Sequence, residues 1–235
     1  MKLVPRPPVG RVYETTHFIR VADTDVTGRL RLDAIARYVQ DIGPDDVADA
    51  GHPQANWVVR RSTVVADRWP TLHDHLEVAT WCGATGNRWA ERRVSFAGEH
   101  GVVDVGTLVI HLDATGRPAP LPDWFHGTYV ESAMGRTLRS RLVLPGPPED
   151  AERSTWPLRS TDFDVNGHVN NARTWEVVED LCSRFGIVPR QATMEWINSV
   201  DPGDEIELLV APRAGGFGAW LLVDGSIRVA ADVSG

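Results

Sequence analysis

Three polar side chains able to handle a proton stand at alternate positions in one short stretch: Asp164, Asn166 and His168, within DVNGHVNN at 164–171. A carboxylate and an imidazole can each accept a proton, and an amide can orient a water or a carboxylate. The stretch runs into Val169, Ala172, Trp175, Val178, Leu181, Cys182 and Phe185, whose spacings predict a helix over 169–185. Backbone N–H groups at a helix start lack intrahelical acceptors, and the dipole favours negative charge there. A carbonyl set against the N–H of Val169 would be polarised as it becomes an oxyanion. The chemistry this set suits is proton transfer beside a polarised carbonyl. Asn166-Gly167 is also a good turn pair, and Asn170 and Asn171 are of the type that caps helices. Alone, the stretch therefore fits a structural turn as well as a reactive loop.

The elements that must position it can be read along the chain. Alternation predicts a strand at 14–21, followed by a polar loop at 22–29. Leu32, Ile35, Val39 and Ile42 share one face of a helix at 30–49, which Gly43-Pro44 is expected to end or kink. Strands follow at 56–67, 76–82, 89–97 and 102–112, with turns at 70–74 and 83–87. Residues 114–148 are proline-rich around a short helix near 124–134 and read as a connector. Then the pattern returns: a strand at 153–159, the loop with Asp164, the helix, and strands at 191–198, 205–210, 219–223 and 226–232. The chain divides as 1–113, 114–148 and 149–235.

The repeat extends to residues. Asp25-Val26-Thr27-Gly28-Arg29-Leu30 lies over Asp164-Val165-Asn166-Gly167-His168-Val169, an offset of 139. Asp74-His75-Leu76-Glu77-Val78 lies over Asp204-Glu205-Ile206-Glu207-Leu208, an offset of 130. The turn Asp201-Pro202-Gly203-Asp204 thus replaces Thr71-Leu72-His73-Asp74. Self-similarity of this length is a fold-level signal. Both copies keep the aspartate and the glycine, but only the second has Asn and His where the first has Thr27 and Arg29. This implies one reactive site per chain and a first copy free to form a substrate pocket.

Composition narrows the class. The 235 residues are 42% apolar, enough for a real core. A net charge of −8 argues against a nucleic-acid partner. Two cysteines, Cys82 and Cys182, make neither a disulfide framework nor a metal site, and no zinc motif or GxSxG elbow is present. No cofactor is expected. The start, MKLVPRPPVG, is broken by prolines and is no signal peptide, and no apolar run approaches a membrane span, so the expected compartment is the cytoplasm.

A strand–long helix–four-strand unit with an Asp-x-Asn-x-His loop resembles the hotdog fold. Two such units, with DVNGHVNN in the second alone, resemble the acyl-acyl carrier protein thioesterases of plants and bacteria. The resemblance runs from about Glu14 to the end and includes Asn56-Trp57-Val58-Val59-Arg60-Arg61. It implies an α+β double hotdog in which a helix in each half is wrapped by a curved antiparallel sheet, the sheets joined edge to edge. It also implies a thioester hydrolase releasing free fatty acid, with Asp164, Asn166 and His168 in the catalytic positions. Plant members carry a further Glu-Cys pair after a Glu-Tyr. Here Glu195-Trp196 matches the Glu-Tyr, and the Glu-Cys positions fall on Ser199-Val200. Glu195 is expected to be a strand residue facing solvent.

On this reading Asp164 or His168 takes the proton of water, and Asn166 orients the water or the carboxylate. An apolar slot for the acyl chain is expected from Leu32, Ile35 and Val39 on the first helix and Trp57 and Val59 on the next strand. Arg136, Arg139 and Arg141, or Arg60, Arg61, Arg92 and Arg93, are candidates for a basic patch that meets an acidic carrier protein. The substrate is the thioester of acyl carrier protein or of CoA, and the chain is a monomer or a homodimer. A CoA thioesterase and a non-catalytic acyl-binding protein are the rival functions. A hotdog hydratase is disfavoured, because Gly167 stands where that class has proline.

Overall fold

The computed structural model describes residues 3–53 and 55–235. The first copy comprises β1 (Val12–Phe18), α1 (Leu32–Asp49), β2 (Asn56–Arg68), β3 (His75–Thr85), β4 (Trp89–Ala97) and β5 (Val102–Leu112). The connector carries α2 (Asp123–Ala133). The second copy comprises β6 (Glu152–Trp156), α3 (Asn171–Phe185), β7 (Gln191–Trp196), β8 (Ile206–Arg213), β9 (Gly216–Val223) and β10 (Ser226–Ser234).

The strands form one antiparallel sheet in the order β1-β3-β4-β5-β2-β7-β10-β9-β8-β6. The second half is thus the first half read in reverse. The two meet where β2 pairs with β7, from Arg61 opposite Glu195 to Val65 opposite Gln191. Along β3, Leu76 and Val78 are buried while His75 and Glu77 are exposed, the alternation of a sheet with one covered face. Both helices lie on the covered face. Leu32 and Ile35 of α1 and Trp175, Val178 and Leu181 of α3 belong to one core, with Val94, Phe96, Val105, Met194, Val210 and Leu221 of the sheet. Each such side chain contributes about 1.5–3 kcal/mol by leaving water. A second cluster, Cys82, Ala90, Leu121, Phe125, Tyr129 and Ala133, holds α2 against the first half. This is the double hotdog that the resemblance implies. No described helix is long and apolar enough to cross a membrane.

Local differences from the sequence reading have physical causes. Strand β1 ends at Phe18 because Val21–Asp23 forms a 3-10 turn, in which Asp23 Oδ2 accepts from the Arg20 N–H at 2.9 Å. Gly43-Pro44 does not end α1, which runs on to Asp49. Beyond Pro44 the helix is anchored by Asp46, whose carboxylate takes Arg11 and Arg92, each at 2.7 Å, and by buried Val47. Gly83 is not in a turn but inside β3, at a bulge between Cys82 and Ala84. A Cβ there would lie 2.5 Å from Glu91 Oε2 and 2.6 Å from Arg93 Cγ, so the glycine admits these side chains across the strands. Strand β6 stops at Trp156, before Pro157, which has no N–H for the ladder.

Candidate active site

The loop before α3 is built by its own backbone. The Asp164 N–H donates to His168 O at 3.0 Å, and the Gly167 N–H donates to Asp164 O at 3.0 Å. Gly167 takes a positive φ of 79°, which suits glycine. The Asp164 carboxylate accepts from the Asn166 N–H at 2.8 Å. The Val169 N–H donates to Val200 O at 2.9 Å and the Asn170 N–H to Asp162 O at 2.8 Å, strapping the loop to its surroundings. Asn170 is the helix cap, its side chain accepting from the Ala172 N–H at 2.8 Å.

Asp164, Asn166 and His168 therefore sit on one tight turn at the start of α3. Asn166 and His168 are exposed, and Asp164 is half-buried. The expected donor at Val169 needs correction. Its N–H is already engaged by Val200 O and cannot face a thioester oxygen in this arrangement. Asn171 is the first helical residue, and among the described residues no acceptor takes up its N–H.

One residue of the site escaped the sequence reading. Asp201, in the turn after β7, meets His168 Nδ1 with Oδ1 at 2.6 Å. The hydrogen bond with His168 holds the Asp201 carboxyl below its usual range, against the opposing effect of burial. The only signal in sequence was the turn Asp201-Pro202-Gly203-Asp204, whose residue types already read as turn chemistry.

The first-half loop has the same backbone and a different chemistry. Asp25 accepts from the Thr27 and Arg29 N–H groups at 2.8 and 3.0 Å, and its carboxylate also pairs with the Arg29 guanidinium at 2.9 Å. Arg29 is 9% exposed and forms an ion pair with Glu179 of α3. Asp25, the counterpart of Asp164, is thus taken up by its own loop and by the Arg29 guanidinium.

The candidate slot residues divide between two clusters. Leu32 and Ile35 are fully buried in the main core, and Val39 and Val59 pack at its edge. Trp57 belongs to the second cluster, with its ring 5.6 Å from Phe125 and 5.1 Å from His111. Beside Val169, a crevice lined by Trp156, Leu158, Thr174 and Leu221 has room for about 10 Å³, about one water. A larger cavity of about 890 Å³ lies on the outer face of the first half, lined by Leu3, Pro5, Trp81, Arg93 and Ser95, and includes no residue of the loop.

Glu195 is not a solvent-facing residue. It is 1% exposed and accepts from the Val143 N–H at 2.8 Å and the Leu144 N–H at 2.9 Å, which fixes the connector to β7. Most of the candidate basic residues are likewise engaged internally. Arg60 donates to Ile197 O, Arg61 to Arg141 O, Arg92 to Asp46 and Arg136 to Gly83 O. Arg93 is buried, whereas Arg139 and Arg141 are exposed. Among the described residues one group has donors suited to a metal, Asp74, Glu99 and His100, and it shares no residue with the loop.

Comparison with known proteins bears on this geometry. An uncharacterized protein of Mycobacterium tuberculosis strain H37Rv is 30% identical over 216 residues, which cover 88% of this chain and 86% of that one. An acyl-ACP thioesterase from Bacteroides thetaiotaomicron superposes with a TM-score of 0.79 at 17% identity, covering 95% of this chain and 97% of that one. The 12:0-ACP thioesterase from Umbellularia californica superposes with a TM-score of 0.77 at 21% identity, covering 95% and 96%. These two likenesses establish the shared double hotdog fold. The acyl-ACP thioesterase N-terminal domain matches residues 10–125, and the acyl-ACP thioesterase C-terminal domain matches residues 146–221. The two domains of one family thus follow each other in order over most of the chain, the second of them bearing the Asp164–His168 loop, and the chain belongs to the acyl-ACP thioesterase family.

Proposed function

We propose that the protein hydrolyses the thioester of an acyl-acyl carrier protein and releases a free fatty acid. The observation that carries the reading is the asymmetry between two copies of one loop. The first is closed by buried Arg29, while the second presents Asp164, Asn166 and His168 to solvent. Family membership supplies the substrate class, and the Umbellularia californica enzyme, of the same fold, is a 12:0-ACP thioesterase.

The water oxygen adds to the acyl carbon while its proton passes to Asp164 or His168. Asn166 orients the water or the carboxylate. The carbonyl oxygen becomes an oxyanion near the start of α3, where the helix dipole favours negative charge. Collapse breaks the carbon–sulfur bond, and the proton moves on to the thiolate. The products are a carboxylic acid and the carrier thiol.

The acyl chain runs along the first half, between α1 and β2. Two contacts support this path. The Gln40 side chain, next to Val39, donates to Asn170 Oδ1 at 3.1 Å, so this part of α1 abuts the start of α3. Arg60, next to Val59, donates to Ile197 O at 2.8 Å, so β2 abuts the end of β7, from which the chain leads to Asp201. Val39 and Val59 flank the entrance, Leu32 and Ile35 underlie it, and Trp57 lies farther along β2. Side-chain movement must open this path, and each methylene then buried contributes about 0.8 kcal/mol to chain-length selection.

The test is hydrolysis of short- to long-chain acyl-acyl carrier protein and acyl-CoA thioesters by the wild type, Asp164→Ala and His168→Ala. Faster turnover of carrier-protein esters, reduced by at least ~100-fold in both variants, is expected. Preference for CoA esters would assign the rival thioesterase function. Wild-type rates in both folded variants would remove the loop from the mechanism.

A further inference from the structure

We infer that Asp201 positions His168 as the general base, its carboxylate holding the proton on Nδ1 so that Nε2 keeps a lone pair for water. The inference rests on the thioesterase reading of the loop and decides between its two candidate bases.

The contact is short, 2.6 Å between His168 Nδ1 and Asp201 Oδ1. An ionised carboxylate only accepts, so the imidazole nitrogen must be the donor. Fixing one ring nitrogen in this way selects the tautomer and leaves the other as the basic one. Asp164 is held differently, by the Asn166 N–H on its own loop. Besides His168, the Asp201 carboxylate takes a hydrogen bond from the Ser199 side chain and feels the charge of Arg228 from β10.

The turn itself does not require the Asp201 carboxylate. Its closing hydrogen bonds are Asp201 N–H to Asp204 Oδ2 at 2.8 Å and Asp204 N–H to Asp201 O at 3.1 Å. The first copy builds the same turn with threonine: Thr71 N–H to Asp74 Oδ2 at 3.0 Å and Asp74 N–H to Thr71 O at 3.0 Å. Backbone bonds also strap loop to turn alike in both copies, Leu30 N–H to Pro70 O at 3.0 Å and Val169 N–H to Val200 O at 2.9 Å. Within this shared frame, two facing positions differ together. Arg29 faces Thr71 in the first copy, and His168 faces Asp201 in the second. The carboxylate stands only where the imidazole stands.

In the reaction, Nε2 takes a proton from water as the carbon–oxygen bond forms. It returns that proton to sulfur as the carbon–sulfur bond breaks. The Nδ1 proton stays in place and its carboxylate stabilises the transient imidazolium.

The experiment uses the full chain with Asp201→Ala, Asp201→Asn, Asp201→Glu and His168→Ala, assayed on lauroyl- and palmitoyl-acyl carrier protein. Asp201→Ala is expected to lower kcat by about 10- to 100-fold with KM within about two-fold, and Asp201→Glu to recover part of the loss. Imidazole ¹⁵N NMR should show His168 protonated on Nδ1 in the wild type and shifted towards Nε2 protonation in Asp201→Ala. A folded Asp201→Ala protein with wild-type kcat and an unchanged tautomer would overturn the inference. If His168→Ala is inactive in that case, the thioesterase reading stands without Asp201. A wild-type rate in His168→Ala would instead remove the base itself. Should Asp201→Ala not fold, Asp201→Asn, which keeps shape and loses charge, decides on kcat alone, an unchanged kcat overturning the inference.

Discussion

Asp33 shows how this acidic chain uses its carboxylates away from the reactive loop. It is 1% exposed and meets Arg31 at 2.8 Å and Arg37 at 2.5 Å. Burial acts to raise its carboxyl, but the hydrogen bonds and charges of Arg31 and Arg37 outweigh it and hold the group below its ordinary range. A carboxyl depressed in the folded state contributes stability above its unfolded pKa of about 3.9, and this is lost as pH falls through the folded value. Denaturant midpoints are therefore expected to hold from about pH 7 to 5 and to fall below about pH 4. Asp33→Asn should be less stable at neutral pH and lose less on acidification. An equally steep acid loss in that variant would place the sensitive group elsewhere.

At the scale of elements, the start of α3 joins stability to chemistry. Asn170 caps the helix through the Ala172 N–H and also accepts from Gln40 of α1. Asn170→Ala is expected to cost about 1 kcal/mol, the usual worth of a cap, read as a shift in urea midpoint. It should also lower turnover, because the loop enters the helix through this residue; a destabilised variant with unchanged kcat would separate the two roles. The Asn170 cap was legible in sequence, as were α2, β4 and β5, whose patterns are local. The reach of α1 to Asp49 was legible as well, but what holds the helix together past Pro44 was not. It depends on Arg11 and Arg92, which come from outside the helix to Asp46.

Across the whole molecule, the two halves interlock at corresponding points. Glu179 lies 139 residues after Gln40, the offset of the repeat. Gln40 reaches the cap of α3, while Glu179 accepts from the Leu32 N–H at 3.0 Å at the start of α1 and pairs with Arg29. The charged contact serves the closed loop and the neutral contact the open one. Trp69 adds a third tie, donating to Pro189 O at 2.8 Å. Glu179→Ala would leave Arg29 and the Leu32 N–H without this partner, and a loss of about 3 kcal/mol in chemical denaturation is expected. A loss below about 1 kcal/mol would show that water or Asp25 replaces the contact.

The sequence by itself determined the duplicated unit, the place of the candidate loop and the family, because hydrophobic period, turn residues and a short polar motif are written in consecutive residues. It also determined that the copies differ, through Thr27 and Arg29 against Asn166 and His168. Tertiary structure decided which partners those residues have. It brings Asp201 to His168 across 33 positions, turns Glu195 inward to hold the connector, and engages the Val169 N–H with Val200. Such pairings depend on where a turn returns after a helix and a strand, and no local pattern carries that distance.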